Sequence, residues 1–373
     1  MKNKLPLIFG ITFVIYISGF FALQLIAKDQ TFSELENRNL ATRPDFTIEG
    51  LLDGTFTKDF ETFVADQFPL RNQFISVKSN TERLLQKKEN NGVYIGADHY
   101  FLQNFTKPDM DLARKNAGYI SNLAEGFNVY VALAPTATKI LADKLPNFAT
   151  PYDEGIFIND FYSVLSDKVH KVPLLSTLQN HKDEAIYYKT DHHWTTLGAY
   201  YSYVAFCETA GLTPLALEDF NIETVSDSFY GSLFSKGNFT FAKPDSLQLF
   251  YPKDETPLTV TYEATGEVKD SLYAYDYLET KDKYSVFLDN NHPLIRIQTG
   301  VKNGRKLIVV KDSYANCFVP FLTAHYEEIQ IVDLRLLSMP LKTFAMQNSI
   351  DDVLVLYNVQ NFSTEGKLSL LTK

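Results

Sequence analysis

The last third of the chain alternates short apolar runs with helix-like segments. Leu307-Ile308-Val309-Val310, Ile329-Gln330-Ile331-Val332 and Val353-Leu354-Val355-Leu356-Tyr357 are almost continuously apolar, and residues 314–324 and 341–347 lie between them. A strand apolar on both faces must be covered on both faces, which is the condition of parallel strands joined by helical crossovers. Val129-Tyr130-Val131-Ala132-Leu133-Ala134, ending at Pro135, has the same character. Ala185-Ile186-Tyr187-Tyr188 reads as a further short strand, and residues 109–123, 152–165 and 195–209 read as helices. Residues from about 213 to 300, rich in Tyr, Thr, Ser and Asp, read as a β-rich insertion. The expected fold class is therefore α/β, a parallel sheet covered by helices and carrying that insertion.

The amino end adds a different constraint. Leu5 to Ala27 holds no charged side chain, and as a helix it would extend ~34 Å, enough to cross a bilayer core. Lys2 and Lys4 precede it, which orients the tip toward the cytoplasm and the bulk of the chain outside. The run is long for a signal peptide and lacks a small-x-small cleavage site before Lys28, so a single-pass anchor in the cell membrane is expected over a removed signal. Three parts follow: a tip and anchor at 1–28, an extended and helical juxtamembrane segment at 29–90, and a main domain at 91–373. In the second part, Phe56, Phe60 and Phe63 repeat at helical spacing and Phe74, Ile75, Val77 and Leu84-Leu85 continue a helical pattern; Pro69 separates two helices. Residues 92–101 read as a strand pair turning at Gly96–Asp98.

Composition excludes several classes. A net charge of −10 argues against a nucleic-acid partner, whose footprint is basic. Two cysteines, Cys207 and Cys317, are too few for a disulfide framework or a thiolate metal cluster.

In open α/β sheets ligands bind beyond the carboxyl ends of the strands, so the polar residues that follow apolar runs are the candidates. Lys311-Asp312-Ser313-Tyr314 follows Val310, and a Ser at a strand-to-helix turn presents its hydroxyl and its own N–H at the sheet rim. Asp312 and Ser313 are equally ordinary helix caps. Asp191-His192-His193-Trp194 contains the chain's only Trp, and a carboxylate two residues from an imidazole can orient it as a base. The same Asp and two His are also plausible metal ligands. Asn358, after Tyr357, can donate to an oxyanion, and is also an ordinary loop residue. Arg335, with Asp333 after the 329–332 run, can bind an anionic sugar or close a rim salt bridge. The loop Asp289-Asn290-Asn291-His292-Pro293 can approach this end and supply backbone donors, and Tyr side chains between 228 and 277 can stack on sugar rings or pack the sheet. Cys317 reads as a small buried group.

The stretch Tyr188-Lys189-Thr190-Asp191-His192-His193-Trp194-Thr195-Thr196-Leu197-Gly198-Ala199-Tyr200 resembles the signature of the DHHW family. It is also similar to the SGNH-like proteins that O-acetylate alginate and related exopolysaccharides. Supporting pieces occur in order: Glu36-Asn37-Arg38 with Pro44, Asp66-Gln67-Phe68-Pro69-Leu70-Arg71, Tyr130 to Pro135 followed by Leu145-Pro146, and Lys311-Asp312-Ser313-Tyr314. The resemblance implies a permuted SGNH-like fold, with 91–373 as its catalytic domain. It implies Asp191 as orienting acid, His193 as base and Ser313 as nucleophile; Asn358, Arg335, His192 and Trp194 are the expected oxyanion and substrate-binding residues. Lys311 stands where SGNH proteins carry Gly. The implied activity is transfer or removal of acetyl groups on a surface or secreted polysaccharide, with no metal and no cofactor. A transferase outside the cell needs acetyl delivered through the membrane, so a membrane-bound O-acyltransferase is the implied partner. The rivals are a non-catalytic polysaccharide-binding or assembly protein of the same fold, and a metal-dependent hydrolase using Asp191, His192 and His193.

Overall fold

The computed structural model describes residues 4–372 except Glu34, Asn37, Thr240 and Glu255; Lys2 and the Asn37 of the Glu36-Asn37-Arg38 piece therefore lie outside the described residues. The chain divides into two compact units, residues 1–87 with 238–240, and residues 88–237 with 241–373.

In the first unit a 22-residue helix, α1 (Leu5–Ile26), buries none of its residues and is long and apolar enough to cross a membrane. Three shorter helices follow: α2 (Ile48–Asp53), α3 (Thr55–Asp66) and α4 (Arg71–Leu84). Pro69 lies between α3 and α4, as its missing N–H and fixed φ require. Two pieces far apart in sequence meet here. The Arg38 guanidinium donates to both carboxylate oxygens of Asp66, at 2.9 and 2.5 Å, and Arg71 reaches Glu36 at 2.6 Å. The Arg38 contact holds the Asp66 carboxyl down to about 2.

The second unit is built on an eight-stranded sheet. Its strands are β1 (Asn128–Ala134), β2 (Val169–Lys171), β3 (Thr259–Tyr262), β4 (Glu267–Lys269), β5 (Leu294–Gln298), β6 (Lys306–Lys311), β7 (Glu328–Val332) and β8 (Asp352–Asn358), in the spatial order β4-β3-β5-β7-β6-β8-β1-β2. From β7 to β2 neighbouring strands run parallel, with Val309 between Ile331 and Leu354 and Val355 beside Val131. Successive residues enter opposite cores: Leu307 and Val309 lie on one face with Ile329, Ile331, Leu354 and Leu356, whereas Ile308 and Val310 lie on the other with Val129, Val131, Val353 and Val355. Both faces are covered, which is why these strands lack polar alternation. Helix α7 (Thr196–Ala210) packs on the first face; α5 (Met110–Leu123), α6 (Glu154–Ser163) and α8 (Leu341–Gln347) pack on the second.

Three expectations are corrected. The sheet is mixed, because β3, β4 and β5 from the insertion join it antiparallel. The rest of the insertion forms a separate antiparallel ribbon, Phe220–Phe229 with Asp245–Pro252. Ala185–Tyr188 is not a strand; only Tyr187 forms a bridge, to Trp194. Ile186, Tyr187 and Tyr188 are buried in the core on the α7 side of the sheet, and burial alone gives the same pattern as a strand. Residues 314–324 are not one helix but a 3₁₀ turn, Ser313–Cys317, and a short helix, Val319–Leu322. Pro320 has no N–H to continue the helical ladder.

Candidate active site

Strands β6, β8, β1 and β7 end at one rim, and the chain leaves β6, β8 and β7 through polar residues. After β6, Asp312 caps the 3₁₀ turn by accepting from the Tyr314 N–H at 2.9 Å. The other oxygen of that carboxylate accepts from the Asn358 N–H (3.0 Å), the Asn358 side-chain amide (2.7 Å) and the Asn361 amide (2.9 Å). Asp312 thus ties the turn after β6 to the end of β8. Burial pushes its pKa up despite these donors. The turn leaves Ser313 half-buried, and the Ser313 N–H has no acceptor among the described residues.

The 188–195 loop crosses this rim from the other side of the chain. Its start is held by the Asp245 carboxylate, which accepts from the N–H groups of Lys189 and Thr190, both at 2.8 Å, and from the Thr190 hydroxyl at 2.6 Å. Its end enters α7 through Thr195, whose side chain caps Gly198 N–H. Between them Asp191 and His193 are buried. Asp191 Oδ1 accepts from the His193 N–H at 2.9 Å and lies 2.5 Å from His193 Nδ1. Asp191 Oδ2 accepts from the Ser232 N–H at 2.7 Å. His193 Nε2 lies 2.8 Å from Ser313 Oγ, across 120 positions of sequence. One carboxylate, one imidazole and one hydroxyl therefore form a continuous hydrogen-bonded line. Burial alone would raise the Asp191 pKa, but the two neighbouring imidazoles carry it well below the usual carboxylate range. Burial and then the neighbouring His192 hold the His193 ring neutral, down to about 4, against the opposing pull of Asp191.

The remaining candidates have separate places. His192 bonds Ser232 Oγ through Nδ1 at 2.5 Å, not Ser313. Trp194 donates from its indole to Tyr314 O at 3.0 Å and to Cys317 Sγ at 3.1 Å, fixing the Ser313 turn from behind. Cys317 is buried, as expected, and both cysteines are free. Asn358 lines a small cleft with Thr136, Thr138, His192 and Tyr314. One of its amide hydrogens is committed to Asp312, and its Oδ1 accepts from Asn361 N–H. Arg335 forms a two-pronged pair with the buried Asp333, at 2.9 and 2.5 Å, which is the rim salt bridge.

The 289–293 loop does reach this end, but with side-chain oxygen rather than backbone donors. Asn291 Oδ1 accepts from the fully buried Lys311 ammonium at 2.7 Å, and Asn316 Oδ1 accepts from it at 2.8 Å. Burial, with Arg335 nearby, lowers the Lys311 amine to about 8. Of the insertion's tyrosines, Tyr273, Tyr275 and Tyr277 line an open surface groove.

Three contributors carry no local sequence signal. The Tyr284 ring stacks on His193 with centroids 3.7 Å apart, and its hydroxyl donates to Ser313 O at 3.1 Å. Ser232 supplies the N–H to Asp191. Gly231 lets that backbone approach, because a Cβ there would sit 2.2 Å from Asp191 Cβ.

The profile of the DHHW protein family matches residues 119–332, which include this loop and the insertion. The chain belongs to the DHHW family. A DHHW family protein from Eubacterium siraeum, solved by crystallography, is 27% identical with a TM-score of 0.66, covering 76% of this chain and 95% of that one. Bacillus cereus PatB1, solved with a sulfonyl adduct, shares the fold at 24% identity and a TM-score of 0.64, over 75% of this chain and 98% of that one. A probable alginate O-acetylase AlgJ from Pseudomonas fluorescens is 25% identical over 274 residues, 70% of this chain and 68% of the relative. A second probable AlgJ, from Pseudomonas syringae pv. tomato, is 26% identical over 50% of this chain and 49% of its own length. The chain is thus a DHHW-family α/β protein distantly related to probable O-acetylases.

Proposed function

We propose that this protein is an extracytoplasmic O-acetyltransferase or acetylesterase acting on a cell-surface or secreted polysaccharide through Ser313, His193 and Asp191. The observation that supports it most is the unbroken line Asp191–His193–Ser313, with the hydroxyl 2.8 Å from a buried imidazole. The relation to probable alginate O-acetylases supports acetyl as the group and a polysaccharide as the acceptor.

In this reading His193 Nε2 takes the Ser313 proton as Oγ attacks the carbonyl carbon of an acetyl donor. The oxyanion receives the Ser313 N–H and the second Asn358 amide hydrogen; loss of one such donor typically costs ~10²–10³ in rate. Collapse breaks the bond to the leaving group, which departs with the proton from His193. A sugar hydroxyl, or water in a hydrolase, then attacks the acetyl-serine, gives its proton to His193, and the proton returns to Ser313 Oγ. Asp191 stays ionised throughout and stabilises the transient imidazolium. The Leu5–Ile26 helix serves as an uncleaved anchor that keeps residues 29–373 on the outer side, next to a membrane-bound acyltransferase that supplies acetyl.

A metal-hydrolase reading is favoured by one observation, that ligand atoms of Asp191, His192 and His193 lie within 4.8 Å of one another. Both Asp191 oxygens and both Nδ1 atoms, however, already have partners within the loop and Ser232. Hydrolysis of a chromogenic acetyl ester separates the readings. Activity that survives excess chelator and vanishes in Ser313→Ala supports the serine mechanism; activity abolished by chelator and retained in Ser313→Ala refutes it.

A further inference from the structure

The apolar helix and the segment that follows α3 are packed side by side rather than end to end. Within α1 only Phe20 and Gln24 are partly covered. The Phe20 ring stacks on Phe68 at 5.4 Å and meets Phe74 of α4 at 5.6 Å, while Phe68 and Phe74 also meet at 5.8 Å. Phe20 lies six residues before Ile26, the last residue of α1, which is ~9 Å along a helix axis. Phe68 and the start of α4 therefore sit beside the apolar helix, below its carboxyl end.

The side of this segment that carries Phe74 stays apolar and exposed beyond the ring cluster. Leu70, Phe74, Val77 and Leu84 are 54, 42, 63 and 82% exposed. Their spacing of four, three and seven places them on one side of α4 and its cap. Thr81 lies within the stripe between Val77 and Leu84, and Lys78, Glu82 and Arg83 are among the polar residues on the rest of the helix. An apolar stripe of this length is uncommon on a surface that faces water. An amphipathic helix lying in a membrane interface buries such a stripe ~5–10 Å into the headgroup and acyl boundary, the same depth that the Phe20 contact sets.

We infer that residues 68–85 are a second membrane attachment, with the Leu70–Phe74–Val77–Leu84 stripe embedded in the phospholipid of the outer leaflet. The inference rests on α1 being a retained anchor. The partner is lipid, not protein, because the ring cluster fixes the stripe's depth by contact with the spanning helix itself. The consequence is that this segment is held at the membrane surface, where an acetyl group delivered through the bilayer emerges.

The test uses the full chain reconstituted alone in phosphatidylcholine vesicles, with a bimane fluorophore on single introduced cysteines and nitroxide-labelled phosphatidylcholine as quencher. The native Cys207 and Cys317 are buried and do not compete for the label. Leu23→Cys reports the anchor, Val77→Cys the stripe, and Asp111→Cys, exposed in the other unit, the aqueous baseline. The expected result is quenching at Val77 comparable to that at Leu23 and well above that at Asp111. Quenching at Leu23 with Val77 at the Asp111 baseline overturns the inference and leaves the anchor standing. Absence of quenching at both overturns the anchor reading, and the inference with it.

Discussion

Gly231→Ala is a one-carbon change that should disable the site without replacing any of the three proposed reacting groups, by pressing on Asp191. The new Cβ would lie 2.2 Å from Asp191 Cβ, 2.4 Å from its Oδ2 and 2.6 Å from its Cα, against 3.4 Å for ordinary contact. Two of these three atoms belong to the core of the residue and cannot swing aside, so the 191 backbone or the 231 backbone must move by about 1.2 Å (3.4 less 2.2). That displacement breaks the Ser232 N–H bond to Oδ2 or draws Oδ1 away from His193 Nδ1. A misplacement of ~1 Å costs about 10²-fold in rate, or ~2.7 kcal/mol of barrier; complete loss of the acid's role would cost ~10⁴. Initial rates on a chromogenic acetyl ester should show the loss in kcat with KM little changed, since the role proposed for Asp191 is to orient His193 rather than to bind substrate. A thermal melt run beside it shows whether the variant is folded. Ser232→Ala keeps the backbone donor and should keep most of the activity. A folded Gly231→Ala variant with kcat within a factor of about three of the parent would refute the role assigned to Asp191.

Further outcomes follow from the same geometry. The acid limb of kcat/KM should fall near pH 4 rather than 6.5, because burial and His192 hold His193 neutral; His192→Ala removes the second cause and should move the limb upward. The sign for stability is the same: the folded pKa lies below the unfolded value, so this group's contribution is full above 6.5 and is lost as pH falls toward 4, which acid titration of the melting temperature would reveal. Excess chelator should leave ester hydrolysis unchanged; loss reversed by added zinc would favour the metal reading. Tyr284→Phe keeps the ring stacked on His193 and should retain most of kcat, whereas Tyr284→Ala should lose about tenfold, the worth of one such ring contact; equal rates in the two variants would deny the stack a role.

The strands were legible because their pattern has one physical cause. A run such as Leu307–Val310 can be apolar at every position only when helices cover both faces, and α5, α6, α7 and α8 do so; that run and Val353–Tyr357 accordingly fall within β6 and β8. The same logic misreads Ala185–Tyr188, where Ile186, Tyr187 and Tyr188 are buried in the core on the α7 side but only Tyr187 pairs, in a lone bridge to Trp194. The antiparallel joining of β3 and β5 was not legible, because register with β7 depends on how a long insertion returns to the sheet. Asp191, His193 and Ser313 stood out because each lies in a polar stretch flanked by apolar ones. Gly231, Ser232, Asp245 and Tyr284 did not, since their contributions are a close approach, two backbone-directed bonds and a ring stack, all created by chain segments that meet only after folding. Lys311 was visible as a departure from Gly; its burial against Asn291 and Asn316 explains how an ammonium is accommodated there.

The most direct measurement is covalent labelling by an arylsulfonyl fluoride, with the modified peptide located by mass spectrometry. The account predicts a single stoichiometric adduct on Ser313, loss of ester hydrolysis in parallel with labelling, and labelling slowed by orders of magnitude in His193→Ala. An adduct at another residue, or full activity in an enzyme quantitatively labelled on Ser313, would contradict it.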